Sequence, residues 1–205
     1  MTHKRTLDTG QNTHNAKKRP SSGRPVSSKN ADSLKETVYF VGFMGAGKST
    51  VARKLARRLG VAALDMDKYI ERAQGHSIKQ IFDDIGEVGF RQIEHETLEE
   101  LSHSEQPLLV SCGGGVVMDP KNREILKSSG KVVHLLVDAD EAAERISDKS
   151  SRPLFNDMES ARELCRSRLP LYEEVADITV MTGSRGVNSI AGEVARRLRE
   201  EGALD

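Results

Sequence analysis

The fold of this chain is decided by Gly42-Phe43-Met44-Gly45-Ala46-Gly47-Lys48-Ser49-Thr50, which follows the apolar run 38–41 and precedes a helical pattern. It matches GxxxxGK[ST], in which the backbone N–H groups of a glycine-rich turn and the start of the next helix surround phosphate groups. Glycine suits such a turn because it adopts positive φ and carries no Cβ. The stretch therefore predicts a phosphate-binding loop and a protein that handles a nucleoside triphosphate.

Three residues at the end of this loop have separate predicted roles. Lys48 is expected to reach the outer phosphates, and the Ser49 hydroxyl to ligate Mg²⁺. Thr50 is expected to contact an inner phosphate. Apolar residues then recur at helical spacing up to Gly60, as the motif requires.

Composition divides the chain near residue 36. Residues 1–36 hold few apolar side chains, with eight basic and three acidic residues, so residues 37–205 carry a net excess of acidic groups although the whole chain is neutral. A segment this polar cannot bury enough surface to fold alone. We predict a disordered basic extension over 1–36 and one folded domain over 37–205. A targeting peptide or a nucleic-acid-binding arm around 17–20 are alternative functions of the extension.

Overall composition narrows the function classes. Zero net charge in 205 residues argues against a nucleic-acid-binding surface. Cys112 and Cys165 lie far apart and form no CxxC motif, which favours a reducing compartment. No apolar run reaches the length of a membrane span, and no secretory signal is recognisable. We expect a cytoplasmic monomer with small-molecule partners, and neither nucleic acid nor membrane as a partner.

From residue 37 onward, short β-rich runs alternate with helical patterns, which predicts βα units and a doubly wound α/β sheet. The last helical pattern places Ile190, Val194 and Leu198 on one face, which is expected to pack on that sheet. The predicted strands are 38–41, 62–64, 108–111, 132–137 and 178–181. In such sheets ligands bind at the carboxyl ends of the strands, so the reactive groups of interest are those that follow the strands.

Two carboxylates follow the second predicted strand. Asp65 is expected to hold Mg²⁺ through water, and Asp67 to accept the proton of an acceptor hydroxyl. A helix N-cap is the alternative role for either residue. Further along, Arg91 precedes Glu94 by three residues, a spacing at which Glu94 orients the guanidinium toward a substrate carboxylate. A solvated helix face is the alternative for that pair.

Three more features follow these groups. The glycines 113–115 end the third strand and indicate that something approaches the main chain closely, a flexible turn being the alternative. The segment 147–159 is interpreted as a mobile lid, whose Arg152 would meet the transferring phosphoryl group. Arg168 is a second candidate anion clamp.

Taken together, the chain resembles the shikimate kinases, small-molecule kinases related to nucleoside monophosphate kinases. The resemblance covers about residues 37–200. It rests on six ordered blocks: GFMGAGKST, the DxD of Asp65 and Asp67, GxSIxxIF followed by GExxFRxxE, SCGGG, RPL at 152–154, and RxPLY with its downstream EVAD. It implies a three-layer P-loop fold, with a five-stranded parallel sheet flanked by helices, and ATP-dependent phosphorylation of shikimate to shikimate 3-phosphate on the route to aromatic amino acids.

The resemblance also implies particular contacts. Asp67, Arg91, Gly114 and Arg168 are expected to touch shikimate, with the two arginines on its carboxylate, and we add Gly113 and Gly115 of the same loop. ATP is expected to bind Gly45, Ala46, Gly47, Lys48, Ser49 and Thr50. Ser49 is expected to coordinate Mg²⁺, Arg152 to act from the lid and Arg185 to pack near adenine.

Two alternatives to this family stay open at the level of sequence. A related kinase, such as a gluconate kinase, shares the loop and the lid, whereas a non-catalytic nucleotide-binding module would lack Asp67 or Arg152. One departure from the family pattern is Cys112, which stands where threonine is frequent. A thiol at that position is expected to make the site sensitive to oxidation.

Overall fold

The computed structural model describes residues 33–145 and 157–205, and within this part of the chain five strands form one parallel sheet. The strand order is β2-β3-β1-β4-β5, and every neighbouring pair is parallel. The strands are β1 Thr37–Val41, β2 Ala63–Asp65, β3 Leu109–Ser111, β4 Gly130–Leu136 and β5 Ile178–Met181. The predicted α/β fold with a five-stranded parallel sheet is therefore confirmed.

Helices connect the strands throughout the described residues. They are α1 Lys48–Leu59, α2 Met66–Gln74, α3 Ile78–Ser102, α4 Pro120–Ser129, α5 Ala139–Arg145, α6 Met158–Val175 and α7 Val187–Glu200, with a 3₁₀ turn at Val116–Met118. Helix α3 begins at a capping box of Ser77 and Gln80 and is interrupted at Gly86, whose φ is 72°. Among these helices, none combines the length and apolar character that crossing a bilayer requires.

Both faces of the sheet are covered, and this explains the continuous apolar run of β1. Val38 and Phe40 pack with α1 and α7 in one core, whereas Tyr39 and Val41 pack with α2, α3 and α4 in the other. Every residue of β1 is buried because strands of a parallel sheet lie between two helical layers. The predicted apolar face of α7 is also confirmed, since Ile190, Val194 and Leu198 are all buried. The result is a three-layer arrangement.

The two ends of the described chain lie together. Leu34 forms an antiparallel bridge with Leu204, and the Lys35 amide donates to the Ala203 carbonyl at 3.0 Å. The Lys35 ammonium also lies 2.7 Å from the Asp205 carboxylate. Residues 33–36, which fall within the predicted basic extension, thus pack against the end of the domain.

The predicted lid falls largely outside the described residues. Of the segment 147–159, residues 147–156 are not described, and they include Arg152. Asp157 caps α6, which begins at Met158. The role of Arg152 therefore stays a prediction.

Candidate functional site

A cavity of about 390 Å³ opens at the carboxyl ends of the strands, where the sequence predicts that ligands bind. Residues 44–51 form one wall, and Asp65, Asp67, Gly114 and Arg185 line other parts of it. Residues of the phosphate loop thus share one cavity with Asp67 and Gly114, which are predicted to contact the phosphate acceptor. Its volume is within the range of small-molecule sites.

The phosphate loop needs glycine at two positions for reasons the structure makes explicit. Gly42 has φ 138°, and a Cβ there would lie 2.5 Å from the Leu135 carbonyl oxygen. Gly45 has φ 80°, and its Cβ would lie 2.7 Å from the Ala142 carbonyl oxygen. The loop therefore lies directly on the backbone of β4 and α5, and only residues without a Cβ permit this approach.

Lys48 is buried at the first position of α1, and its ammonium lies on its own loop. Nζ donates to the carbonyl oxygens of Gly42 at 2.8 Å and Phe43 at 3.0 Å. These contacts fix the side chain along the inner face of the phosphate loop. A phosphate group bound in the loop would lie near a fixed positive charge and the N-terminus of α1.

Two side chains that carry oxygen atoms, Ser49 and Asp65, lie beside the loop. The Ser49 hydroxyl lies 3.0 Å from the Ser111 hydroxyl at the end of β3, and Asp65 lines the same cavity. Asp65 also caps α2 by accepting from the Lys68 amide at 3.2 Å, so it fulfils the alternative role as well. The described residues contain no cluster of three or more His, Cys, Asp or Glu able to hold a metal. A hydroxyl and one carboxylate beside a phosphate site nevertheless fit Mg²⁺, which usually binds through few protein ligands, waters and substrate phosphates.

The glycines 113–115 are approached by the side chains of the acceptor side. A Cβ on Gly113 would lie 2.8 Å from Glu94 Oε1 and 2.9 Å from Asp67 Oδ1. A Cβ on Gly115 would lie 2.5 Å from Arg91 Nη2. Gly114 has only ordinary contacts at 3.7 Å or more. The close approach expected from the triple glycine is thus made, at its two outer positions, by the side chains of three candidate site residues.

Two carboxylates orient the Arg91 guanidinium. Nη1 donates to Glu94 Oε2 at 2.7 Å, and Nη2 donates to Glu87 Oε1 at 3.1 Å. Glu94 is only 2% exposed, and burial raises its pKa although the Arg91 charge opposes this shift. The local pair expected from the sequence is present. Glu87 was not predicted, although its i, i+4 spacing to Arg91 indicates such a contact.

Arg168 lies on α6 and contacts the same 113–115 loop. Its Nη1 donates to the Gly114 carbonyl at 3.4 Å, a long contact. Its Nε is buried and has no hydrogen-bond partner among the described residues. Because a buried guanidinium nitrogen without a partner is costly, the site favours an additional acceptor such as a carboxylate.

Arg145 joins the site in the structure, although it was not predicted from the sequence. Arg145 ends α5 and lines the same cavity as Arg185. Its Nη1 donates to the Thr182 hydroxyl at 3.0 Å, whereas Arg185 donates to the Met181 carbonyl and forms an ion pair with Glu193 at 2.7 Å. Arg145 contacts a residue that is distant in sequence, and such a contact cannot be read from the sequence. The only sequence feature that sets Arg145 apart from an ordinary surface charge is its position directly before the predicted lid.

The thiol of Cys112 lies in an environment that opposes its reactivity. Cys112 is 1% exposed, and burial raises the pKa of its thiol far above the ordinary value. A thiolate is the reactive form of cysteine, so a buried protonated thiol reacts slowly. The structure therefore argues against the sensitivity to oxidation expected for Cys112.

His134 is a buried histidine behind the phosphate loop. It is 2% exposed, it stacks on the Tyr172 ring with 5.2 Å between centroids, and its Nδ1 has no partner among the described residues. Burial, assisted by the Lys48 charge, lowers its pKa to about 4. The folded protein therefore holds His134 neutral in the range where an unfolded chain begins to bind the proton.

Acidification is expected to destabilise the protein through His134. The unfolded state binds the proton below about pH 6.5, whereas the folded state binds it only near pH 4. The free energy of unfolding is therefore expected to fall by about 2 kcal/mol between pH 7 and pH 5. The measurement is the free energy of unfolding in urea at both pH values, for the wild type and for His134→Phe. The variant is expected to lose about 2 kcal/mol less than the wild type. If both proteins lost the same free energy of unfolding on acidification, the loss would not be due to His134.

The family model, the curated relatives and the solved structures of highest identity in these comparisons are all shikimate kinases. The family model described as shikimate kinase matches residues 44–199. A curated shikimate kinase from Actinobacillus succinogenes is 41% identical over 164 residues, covering 78% of this chain and 93% of the relative. The structure of a shikimate kinase from Acinetobacter baumannii in complex with shikimate is 38% identical with a TM-score of 0.77, covering 81% of this chain and 94% of that chain. That of Aquifex aeolicus shikimate kinase is 32% identical with a TM-score of 0.69, covering 81% and 98%.

Proposed function

The chain belongs to the shikimate kinase family, and on this basis we propose how its residues carry out the family's reaction. The enzyme phosphorylates shikimate with ATP, a step of aromatic amino-acid biosynthesis. We propose direct in-line transfer of the γ-phosphoryl group to a shikimate hydroxyl, giving shikimate 3-phosphate. The observation that carries this proposal is the single cavity that joins the phosphate loop to Asp67 and Gly114.

ATP is proposed to bind with its phosphates in the loop 45–50. The backbone N–H groups of the loop, the N-terminus of α1 and the Lys48 ammonium surround the phosphate charge. Ser49, directly, and Asp65, through water, are proposed to hold Mg²⁺, which when bound neutralises charge on the outer phosphates. Lys48 then stabilises the charge that develops during transfer.

Shikimate is proposed to bind between α3, the 113–115 loop and α6. Arg91 and Arg168 hold its carboxylate, since both guanidinium groups lie beside the glycine loop. Asp67 orients the attacking hydroxyl and accepts its proton. Glu94 keeps Arg91 in position, and the absence of side chains at Gly113 and Gly115 leaves room for these groups.

The remaining assignments concern the ends of the nucleotide. Arg185 is proposed to pack near adenine, and Arg145 is added because it lines the same cavity. Arg152 is proposed to stabilise the transferring phosphoryl group from the lid. We still expect the protein to be a monomer and to lie in the cytoplasm. The two free cysteines support a reducing compartment.

One assay tests the reaction against its two competitors. ADP release is measured with shikimate, with gluconate and without an acceptor, at saturating MgATP. We expect release with shikimate at least about 100-fold faster than with gluconate, because only the former offers a ring carboxylate to two arginines. Faster release with gluconate would indicate the related kinase. Equal release in all three reactions would exclude acceptor phosphorylation.

Replacing Arg168 by Lys is expected to raise the Michaelis constant for shikimate about tenfold, with kcat and the ATP constant within about twofold of the wild type. Lysine keeps the charge but cannot present two parallel N–H donors to a carboxylate. The measurement is steady-state kinetics with each substrate varied. Arg166→Lys is the matched control, because Arg166 is exposed on the same helix and pairs with Glu159. An unchanged shikimate constant in Arg168→Lys would refute the clamp.

A further inference from the structure

Tyr172 lies behind the 113–115 loop and is not among the residues assigned above. It is 1% exposed, and its hydroxyl donates to the Gly114 carbonyl oxygen. Burial raises its pKa to about 12 although Arg168 opposes the shift. The hydroxyl is therefore a protonated donor at any pH at which the enzyme is assayed. Its acceptor is the middle residue of the loop that lines the cavity.

Arg168 shares that acceptor. Its Nη1 reaches the Gly114 carbonyl only at 3.4 Å, from a position one helical turn before Tyr172 on α6. While the Tyr172 hydroxyl donates to this carbonyl, the oxygen already has a strong donor and depends only weakly on the long contact from Arg168. Without that hydroxyl, the guanidinium becomes the remaining side-chain donor to this partly buried oxygen. Arg168 would then turn toward the loop and away from an incoming carboxylate.

The Tyr172 ring is itself held from the other side. The His134 imidazole stacks on it at an interplanar angle of 26°. The same imidazole lies beside Gly42, since a Cβ added to this glycine would be 3.5 Å from His134 Cδ2. Stacked rings in a buried site restrict each other's rotation. The pair therefore connects the start of the phosphate loop with the middle of the 113–115 loop through two rigid side chains.

We propose that Tyr172 is a positioning residue for the acceptor: its hydroxyl holds the Gly114 carbonyl so that Arg168 stays directed at the carboxylate of shikimate. This inference rests on the proposed function of Arg168. It assigns Tyr172 no contact with shikimate, and it predicts an effect on acceptor binding rather than on phosphoryl transfer.

The test is Tyr172→Phe, which removes one hydroxyl and keeps the ring that stacks on His134. Tyr39→Phe is the matched control, because Tyr39 is a fully buried tyrosine whose hydroxyl lies 2.9 Å from that of Ser129 at the end of α4. We expect Tyr172→Phe to raise the shikimate Michaelis constant about tenfold, with kcat and the ATP constant within about twofold. Tyr39→Phe is expected to leave all three within about twofold.

Two further measurements separate positioning from loss of stability. Melting temperatures show whether the variants lose similar stability, and calorimetric titration of shikimate without nucleotide gives its dissociation constant directly. The inference would be overturned if the Michaelis constant of Tyr172→Phe for shikimate stayed within twofold of the wild-type value. Equal rises of this constant in both tyrosine variants would also overturn it.

A double-mutant cycle tests whether Tyr172 acts through Arg168. In an Arg168→Lys background, Tyr172→Phe is expected to change the shikimate constant by less than about twofold, because the geometry it protects is already lost. A full tenfold effect in that background would refute action through Arg168. If Arg168→Lys alone leaves the constant unchanged, the proposed clamp fails. If only Tyr172→Phe is without effect, the clamp stands and the inference fails.

Discussion

Replacing Asp67 by Asn is expected to lower kcat by about 10²–10⁴ while the dissociation constant for ATP stays within about twofold. Asp67 lines the cavity at the start of α2, and one of its carboxylate oxygens lies beside Gly113. An amide has the same shape and therefore preserves the packing against this glycine. It cannot accept the proton of the attacking hydroxyl. The loss is consequently expected in turnover, with nucleotide binding retained at the phosphate loop.

The measurement for Asp67→Asn is steady-state turnover combined with titration of ATP by calorimetry. Asp83→Asn serves as the control, since Asp83 is an exposed residue of α3, and it is expected to retain wild-type kinetics. Near-normal turnover of Asp67→Asn would remove the proton-accepting role. A parallel loss of ATP affinity would instead indicate that Asp67 supports the nucleotide side of the cavity.

The fold was predictable because its determinants are local or periodic. The continuous apolar run of β1 indicates a strand covered on both faces, and the spacing of Ile190, Val194 and Leu198 indicates one face of a helix. The phosphate loop was recognised because the chemistry of phosphate binding demands a fixed sequence pattern. That Asp67 lines the cavity was predictable from its position shortly after a predicted strand.

Apart from Glu87, whose contact with Arg91 is local, the parts that escaped prediction depend on contacts between distant segments. Nothing near Tyr172 in the sequence indicates that its hydroxyl reaches Gly114, or that its ring meets His134. The meaning of Gly113 and Gly115 likewise appears only when α2 and α3 are placed beside them. Tertiary packing sets these distances, whereas a single sequence reveals only propensity and spacing.

The Gly115→Ala variant tests this packing directly. Gly115 has φ −99°, which any residue adopts, so alanine introduces no backbone strain. Its Cβ overlaps the Arg91 guanidinium, the flexible end of a long side chain. The fold is therefore expected to persist while Arg91 leaves the position set by Glu94 and Glu87. We expect kcat/KM for shikimate to fall about 100-fold, mainly through KM, with the melting temperature lowered by only about 2–4 °C.

Two other glycines make this result interpretable. Gly192 lies inside α7, and a Cβ at this position would have no neighbouring atom within 4 Å, so Gly192→Ala is expected to stabilise the protein by about 0.5–1 kcal/mol and leave its kinetics unchanged. Gly130→Ala places a Cβ against the Thr37 carbonyl oxygen, which is fixed backbone, and is expected to destabilise the fold. Gly115→Ala differs from both, since it displaces a functional side chain and spares the backbone. If Gly115→Ala kept the wild-type KM for shikimate, Arg91 would not bind this substrate from its present position.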